Sequence, residues 1–149
     1  MSEKDTFFMM IQDRWWQGFL LRRKEGKKAH AYVLRGAAPP KDTRRLVFYV
    51  TKPVGKVAGF AEFTERKVGD PETMWNENGE ESVLSSKQKY DSFVSGSQRV
   101  SFVRLKNLQE AARPVMLCDA LMFFGVKRLS RKGFYVNKEM ADKLVALMT

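Results

Sequence analysis

One cysteine and one histidine are all that this chain of 149 residues has of the two soft metal-ligand types. Cys118 therefore has no partner for a disulfide within the chain, and neither a cysteine cluster nor a histidine-rich metal site is available. No metal and no cofactor are expected. Apolar runs are short: Asp13 and Arg14 interrupt the first, and Arg22 and Arg23 end the second, so nothing approaches the ~20 residues that span a bilayer. No membrane segment is predicted. The polar start Met1–Asp5, followed by the brief Phe7–Ile11, lacks the form of a secretory leader, which makes the cytoplasm the expected location. Absent too are a Gly-x-Ser-x-Gly elbow and a Gly-x-x-x-x-Gly-Lys-Ser/Thr loop, which argues against a serine hydrolase of that type and a nucleoside triphosphatase.

Acidic residues are in the minority, with 17 Asp and Glu against 27 Lys and Arg for a net charge of +10. Such an excess favours phosphate-bearing partners. Its distribution is uneven: residues 1–68 carry 15 basic and 7 acidic side chains, residues 69–97 carry 2 and 6, and residues 98–149 carry 10 and 4. Two basic stretches flank an acidic one, so the surface is polarised if the ends meet in space. The length suits one domain, 1–149, with one core.

Two apolar runs rich in Val, Phe and Tyr, Leu46–Val50 and Val57–Phe63, read as a hairpin around the turn Thr51–Lys56. Gly59 marks a bulge or a close approach to a neighbouring backbone or a ligand. Before the hairpin, Thr6–Ile11 predicts a buried strand, Asp13–Lys24 an amphipathic helix stopping at Gly26, and His30–Arg35 a second strand. After it, Pro71 opens a short helical turn through Trp75, and Ser85–Gln88 reads as a capping box for a helix carrying Tyr90, Phe93 and Val94. Arg99–Leu108 is the longest strand candidate, with Val100 and Phe102 on one face and Val103 and Leu105 on the other. Pro114–Cys118 reads as a separate edge strand, Asp119–Phe124 as a helical turn and Gly133–Val136 as a last strand. Asn137 caps a terminal helix with Met140, Leu144 and Leu147 on one side. Cys118 is expected to be a small buried apolar residue.

This order of elements, with Gly26-x-Lys28, the Pro39-Pro40 loop and Lys52-Pro-Val-Gly-Lys-Val-x-Gly59, resembles the PUA-like superfamily, within it the ASCH and EVE domains and a related archaeal family. The resemblance spans residues 7 to about 136. It implies an α+β fold, a mixed β pseudo-barrel of five to six strands flanked by short helices. It also implies binding of RNA or of a modified nucleobase, or, for some ASCH proteins, hydrolysis of acylated pyrimidine nucleosides. The ASCH signature is Gly-x-Lys-x-x-Glu-x-Arg, with threonine for glutamate in hydrolytic members. Here Gly26 and Lys28 match, Ala31 and Val33 replace the acid and the arginine, and Arg35 lies two residues further on.

The candidate phosphate contacts are Lys28, Arg35, Lys52, Lys56, Arg128, Arg131 and Lys132, the last three forming a second site if they fold beside Arg22–Lys28. Each is alternatively a solvated charge of the kind such runs commonly supply. Base stacking, worth ~1–3 kcal/mol per base, needs an accessible ring. Trp15 and Trp16 point ~100° apart on a helix, so one packs in the core and the other covers an edge or lines a cleft. Trp75, if it folds over the hairpin, walls a base pocket with Tyr49 or Tyr135 opposite. His30 reads as a packed or surface residue. The favoured function is RNA binding without an assigned catalytic residue. The alternative is a small amidohydrolase acting on modified pyrimidine nucleosides, with Lys28 and Glu62 as an acid and base couple, and a protein adaptor is a third possibility. The sequence leaves the oligomeric state open.

Overall fold

The structure, a computed structural model, describes residues 4–35, 42–84, 86–128 and 133–149. In chain order the elements are β1 (Lys4–Ile11), α1 (Asp13–Lys24), β2 (Ala29–Leu34), β3 (Arg45–Val50), β4 (Lys56–Gly69), α2 (Pro71–Asn78), a 3-10 turn (Gly79–Glu81), α3 (Lys87–Val94), β5 (Val100–Met116), α4 (Leu117–Phe124), β6 (Phe134–Asn137) and α5 (Lys138–Met148). The strands form one mixed sheet in the order β2-β5-β4-β3-β1-β6, in which β1 and β3 run parallel. The expected α+β class with six strands is present. The register of β4 against β5 shifts after Val57, after Phe60 and after Phe63. Such bulges bend and twist a sheet, and here they curl it into a half-barrel that stays open.

Strand alternation sorts the apolar side chains into three layers. Leu46, Phe48 and Val50 of β3 face the concave side with Met9, Ile11, Val103 and Leu105, where Trp16 and Phe19 of α1 fill the bowl. Val47 and Tyr49 face the other side, against Phe8, Ala120 of α4, and Leu144 and Met148 of α5. Because both faces of β3 are covered, its sequence is a continuous apolar run. A third layer sits between the β2–β5 pair and α2–α3, built on Ala31, Val33, Val100, Phe102, Met74 and Tyr90.

Local signals account for most boundaries. Asp70 Oδ2 accepts from the Thr73 N–H at 2.9 Å, with Pro71 opening α2, and Asn137 Oδ1 accepts from the Met140 N–H at 2.8 Å at the start of α5. Ser86 caps α3 through the Lys89 N–H, one residue later than the expected box, so Lys89 rather than Gln88 takes its third position. Pro114–Cys118 is not a separate strand: Val115 and Met116 continue β5 opposite Val57 and Lys56, and α4 begins at Leu117. Beyond Lys106 the other side of β5 carries no strand among the described residues, which is why a proline is tolerated at 114. Cys118 is exposed, because α4 turns Ala120 inward. On α5 the buried stripe is Ala141, Leu144 and Met148, leaving Leu147 53% exposed. Among the described residues no helix is long and apolar enough to cross a membrane.

Candidate nucleic-acid interface

The register defines two ends of the sheet. At one, Thr6, Arg45, Glu62, Lys106 and Ala29 form a row across five strands. At the other, Ile11, Val50 and Lys56 adjoin the hairpin turn. Helix α1 starts at the hairpin end and returns the chain to the first, so the Gly26–Lys28 turn and the Thr51–Lys56 turn lie about 18 Å apart, the rise of a twelve-residue helix. Among the described residues, Arg35, Lys52, Lys56 and Arg128 do not gather with Lys28 around the glycine-lysine turn.

A cleft of about 470 Å³ opens at the hairpin end, between the start of α1, the end of β2, Thr51 and α3. Arg14, Trp15, Tyr32, Arg35 and Phe93 line it, and among the described residues no carboxylate does. The Arg14 guanidinium lies 4.3 Å from the Trp15 ring centroid and that of Arg35 lies 5.4 Å from Phe93, while the two rings meet edge-on at 6.2 Å. Stacked guanidinium planes keep their charge available while losing little freedom on binding. Lys52 and Lys56 are exposed on the adjoining turn. A larger groove of about 1050 Å³ at the opposite end carries Arg44, Arg45 and Lys138, but Asp5, Glu62 and Asp142 line it too, and Arg45 pairs with Asp142 at 2.6 Å. Its charges offset one another. The cleft is therefore the stronger attractor of phosphate.

Other predicted residues lie elsewhere. Lys28 is exposed at the far end, and Arg128 is exposed on the connection from α4 to β6; Arg131 and Lys132 lie outside the described residues. Arg128 does not fold beside Arg22, whose guanidinium donates to His30 Nδ1 at 3.0 Å and to the carbonyls of Ala29 and Glu80, both at 2.9 Å. Trp16 and Tyr49, each 3% exposed, offer no face for stacking. Trp75 does not cover the hairpin: its ring leans on Tyr90, tilted by 35° with centroids 4.7 Å apart, and lies over Gly79, near Leu21 and Arg22. Tyr135 sits on β6 at the sheet edge, where its hydroxyl donates to Asp42 at 2.8 Å. Of the five candidate stacking rings, only Trp15 lines the cleft.

The acid-base pairing of Lys28 with Glu62 is not formed. The Glu62 carboxylate accepts from Asn107 Nδ2 at 2.7 Å and pairs with Lys106 at 3.7 Å. Strand β5 separates β2 from β4, placing the two backbones roughly 10 Å apart. Ala31 and Val33, at the substituted signature positions, are core residues beneath α2 and α3. Arg35 shares their side of the strand by the period of two, but lies past the core and reaches the cleft over Phe93. Arg14, Tyr32 and Phe93 were not among the sequence candidates. For Tyr32 the signal was present, since the same period sets it with His30 and Leu34 toward α1. His30 is packed, at 1% exposure, and burial followed by the Arg22 charge lowers its pKa to about 4. A neutral imidazole accepting from Arg22 is a structural element and not a proton shuttle. Among the described residues no three metal-ligating side chains converge.

No protein-family model matches the chain. It is similar to the ASCH domain-containing ribonuclease of Zymomonas mobilis, 29% identical over 132 residues that cover 89% of this chain and 87% of the relative. The crystal structure of the ASCH protein of that organism superposes with a TM-score of 0.78 at 22% identity over 99% of this chain and 98% of the other. A serine-to-alanine mutant of the Zymomonas mobilis ASCH protein gives the same TM-score of 0.78 at 23% identity, with 100% of both chains covered. The curled six-stranded sheet, its bowl-filling helix and its flanking layers are thus the fold seen in the ASCH protein structures.

Proposed function

We propose that this chain binds single-stranded RNA in the cytoplasm, at the hairpin end of the sheet. The observation that carries this reading is the cleft, lined by no carboxylate among the described residues, in which two guanidinium groups lie over the Trp15 and Phe93 rings. Phosphates are held by Arg14 and Arg35 inside the cleft and by Lys52 and Lys56 on the turn beside it. The resemblance to a protein named as a ribonuclease supports RNA as the partner. Neutralising a single-strand phosphate contributes ~0.7 to the log-log salt slope, so four contacts give roughly −3. Titration of labelled single-stranded RNA at low and moderate salt tests this. A steep fall of affinity with salt is expected, and absent or salt-independent binding overturns the reading.

RNA cleavage is the second reading, favoured by the same relative. Attack of a 2′-hydroxyl on the adjacent phosphate forms a 2′,3′-cyclic phosphate as the bond to the 5′-oxygen breaks, with the 2′ proton passing to water and the 5′-oxygen taking one from it; the charge that develops needs cations, and the hairpin end supplies them. Incubation with end-labelled RNA, lost or slowed in Arg35→Ala, tests it; intact RNA at every time point contradicts it. Amidohydrolysis gains no support from a solvent-facing Lys28 and a Glu62 already engaged with Lys106 and Asn107.

A further inference from the structure

Tyr32 stands on the inward face of β2, its ring edge-on to Phe19 at 6.1 Å. Among the described residues nothing hydrogen-bonds its hydroxyl, whereas every fully buried side-chain polar atom there has a partner. The hydroxyl therefore reaches the cleft surface, among Arg14, Trp15, Arg35 and Thr51. Partial burial raises the phenol pKa to about 12 against the opposing pull of Arg14, so at neutral pH the group keeps its proton and can both donate and accept. A cleft of about 470 Å³ has room for one nucleotide and excludes a helix.

We propose that Tyr32 is a specificity-determining residue that hydrogen-bonds the edge of one unstacked RNA base held against the Trp15–Phe93 wall. The inference rests on the RNA reading above and adds to it a cause of base preference. Cations and ring faces attract any nucleotide alike. A phenol at the floor of a half-dry cleft discriminates, because a base without a matching group there leaves the hydroxyl unpaired.

The test uses the full chain and short single-stranded oligouridylates in which one central nucleotide is uridine, cytidine, adenosine, guanosine or abasic. The unaltered protein is expected to prefer one base by about 3- to 10-fold, the range of one net hydrogen bond. Tyr32→Phe, which keeps the ring and its packing, should bring the four bases within about 2-fold while leaving the salt slope and the abasic affinity unchanged. Binding without base preference, or a Tyr32→Phe protein that retains the original ranking, overturns the role of Tyr32 and leaves RNA binding standing. Failure of the unaltered protein to bind any of these RNAs overturns the RNA reading itself, and this inference with it.

Discussion

The edge of the Trp16 indole rests on Gly59, where a Cβ would lie 2.5 Å from the ring and 2.3 Å from the Gln109 carbonyl oxygen. The register shift after Val57 occurs at the same place. One residue thus bends β4, admits the β5 backbone and seats the tryptophan that anchors α1. Since Asp13–Lys24 begins at the cleft, the position of Arg14 and Trp15 depends on this contact.

Gly59→Ala should destabilise the fold at the upper end of the overpacking range, about 3 kcal/mol, because a backbone carbonyl as well as a ring stands in the way. Urea denaturation would show a lower midpoint at unchanged slope. A midpoint equal to that of the parent protein would mean that the strand relaxes freely and that Trp16 does not lock the helix in place.

His30 makes stability pH-dependent with a determinate sign. Its pKa is about 4 folded against 6.5 unfolded, so the unfolded chain binds more protons in that window and stability falls as the pH drops from 6.5 toward 4. Protonation also puts a donor at Nδ1 opposite the Arg22 N–H. The loss attributable to this residue reaches ~3 kcal/mol near pH 4. Urea unfolding of the parent and of His30→Gln across this range should show a steeper decline for the parent, and parallel curves would contradict the assignment.

Charge at the two ends of the sheet should matter unequally. Arg35→Ala is expected to reduce the salt slope of RNA binding by ~0.7, one phosphate, whereas Lys28→Ala at the other end leaves it unchanged. Equal effects in the two variants would place the RNA elsewhere.

The pattern of the fold was legible where the determinants are local. The β3–β4 hairpin, the limits of α1, the proline start of α2 and the Asn137 cap follow from periodicity and cap chemistry within a few residues. A glycine at position 18, inside α1, has a reason no local pattern carries: a Cβ there would stand 2.4 Å from Val83 Cγ2, on a segment sixty-odd positions away. Pro114 looked like the start of a new strand because nothing in the sequence tells which side of β5 is unpaired. The site was less legible still. A sum of charges cannot distinguish two ends of one sheet, and the length of β2 separates Lys28 from Arg35. Trp75 read as the wall of a base pocket because its actual partner, Tyr90, comes fifteen residues later.

Ultraviolet crosslinking of single-stranded RNA to the full chain, followed by mass spectrometry of the peptide-nucleotide adducts, tests the placement of the RNA most directly. Adducts should fall on the peptides containing Trp15, Tyr32 and Phe93, three segments distant in sequence that meet at the cleft. Adducts confined to the peptide of Trp75, or to the Gly26–Lys28 turn, would contradict it.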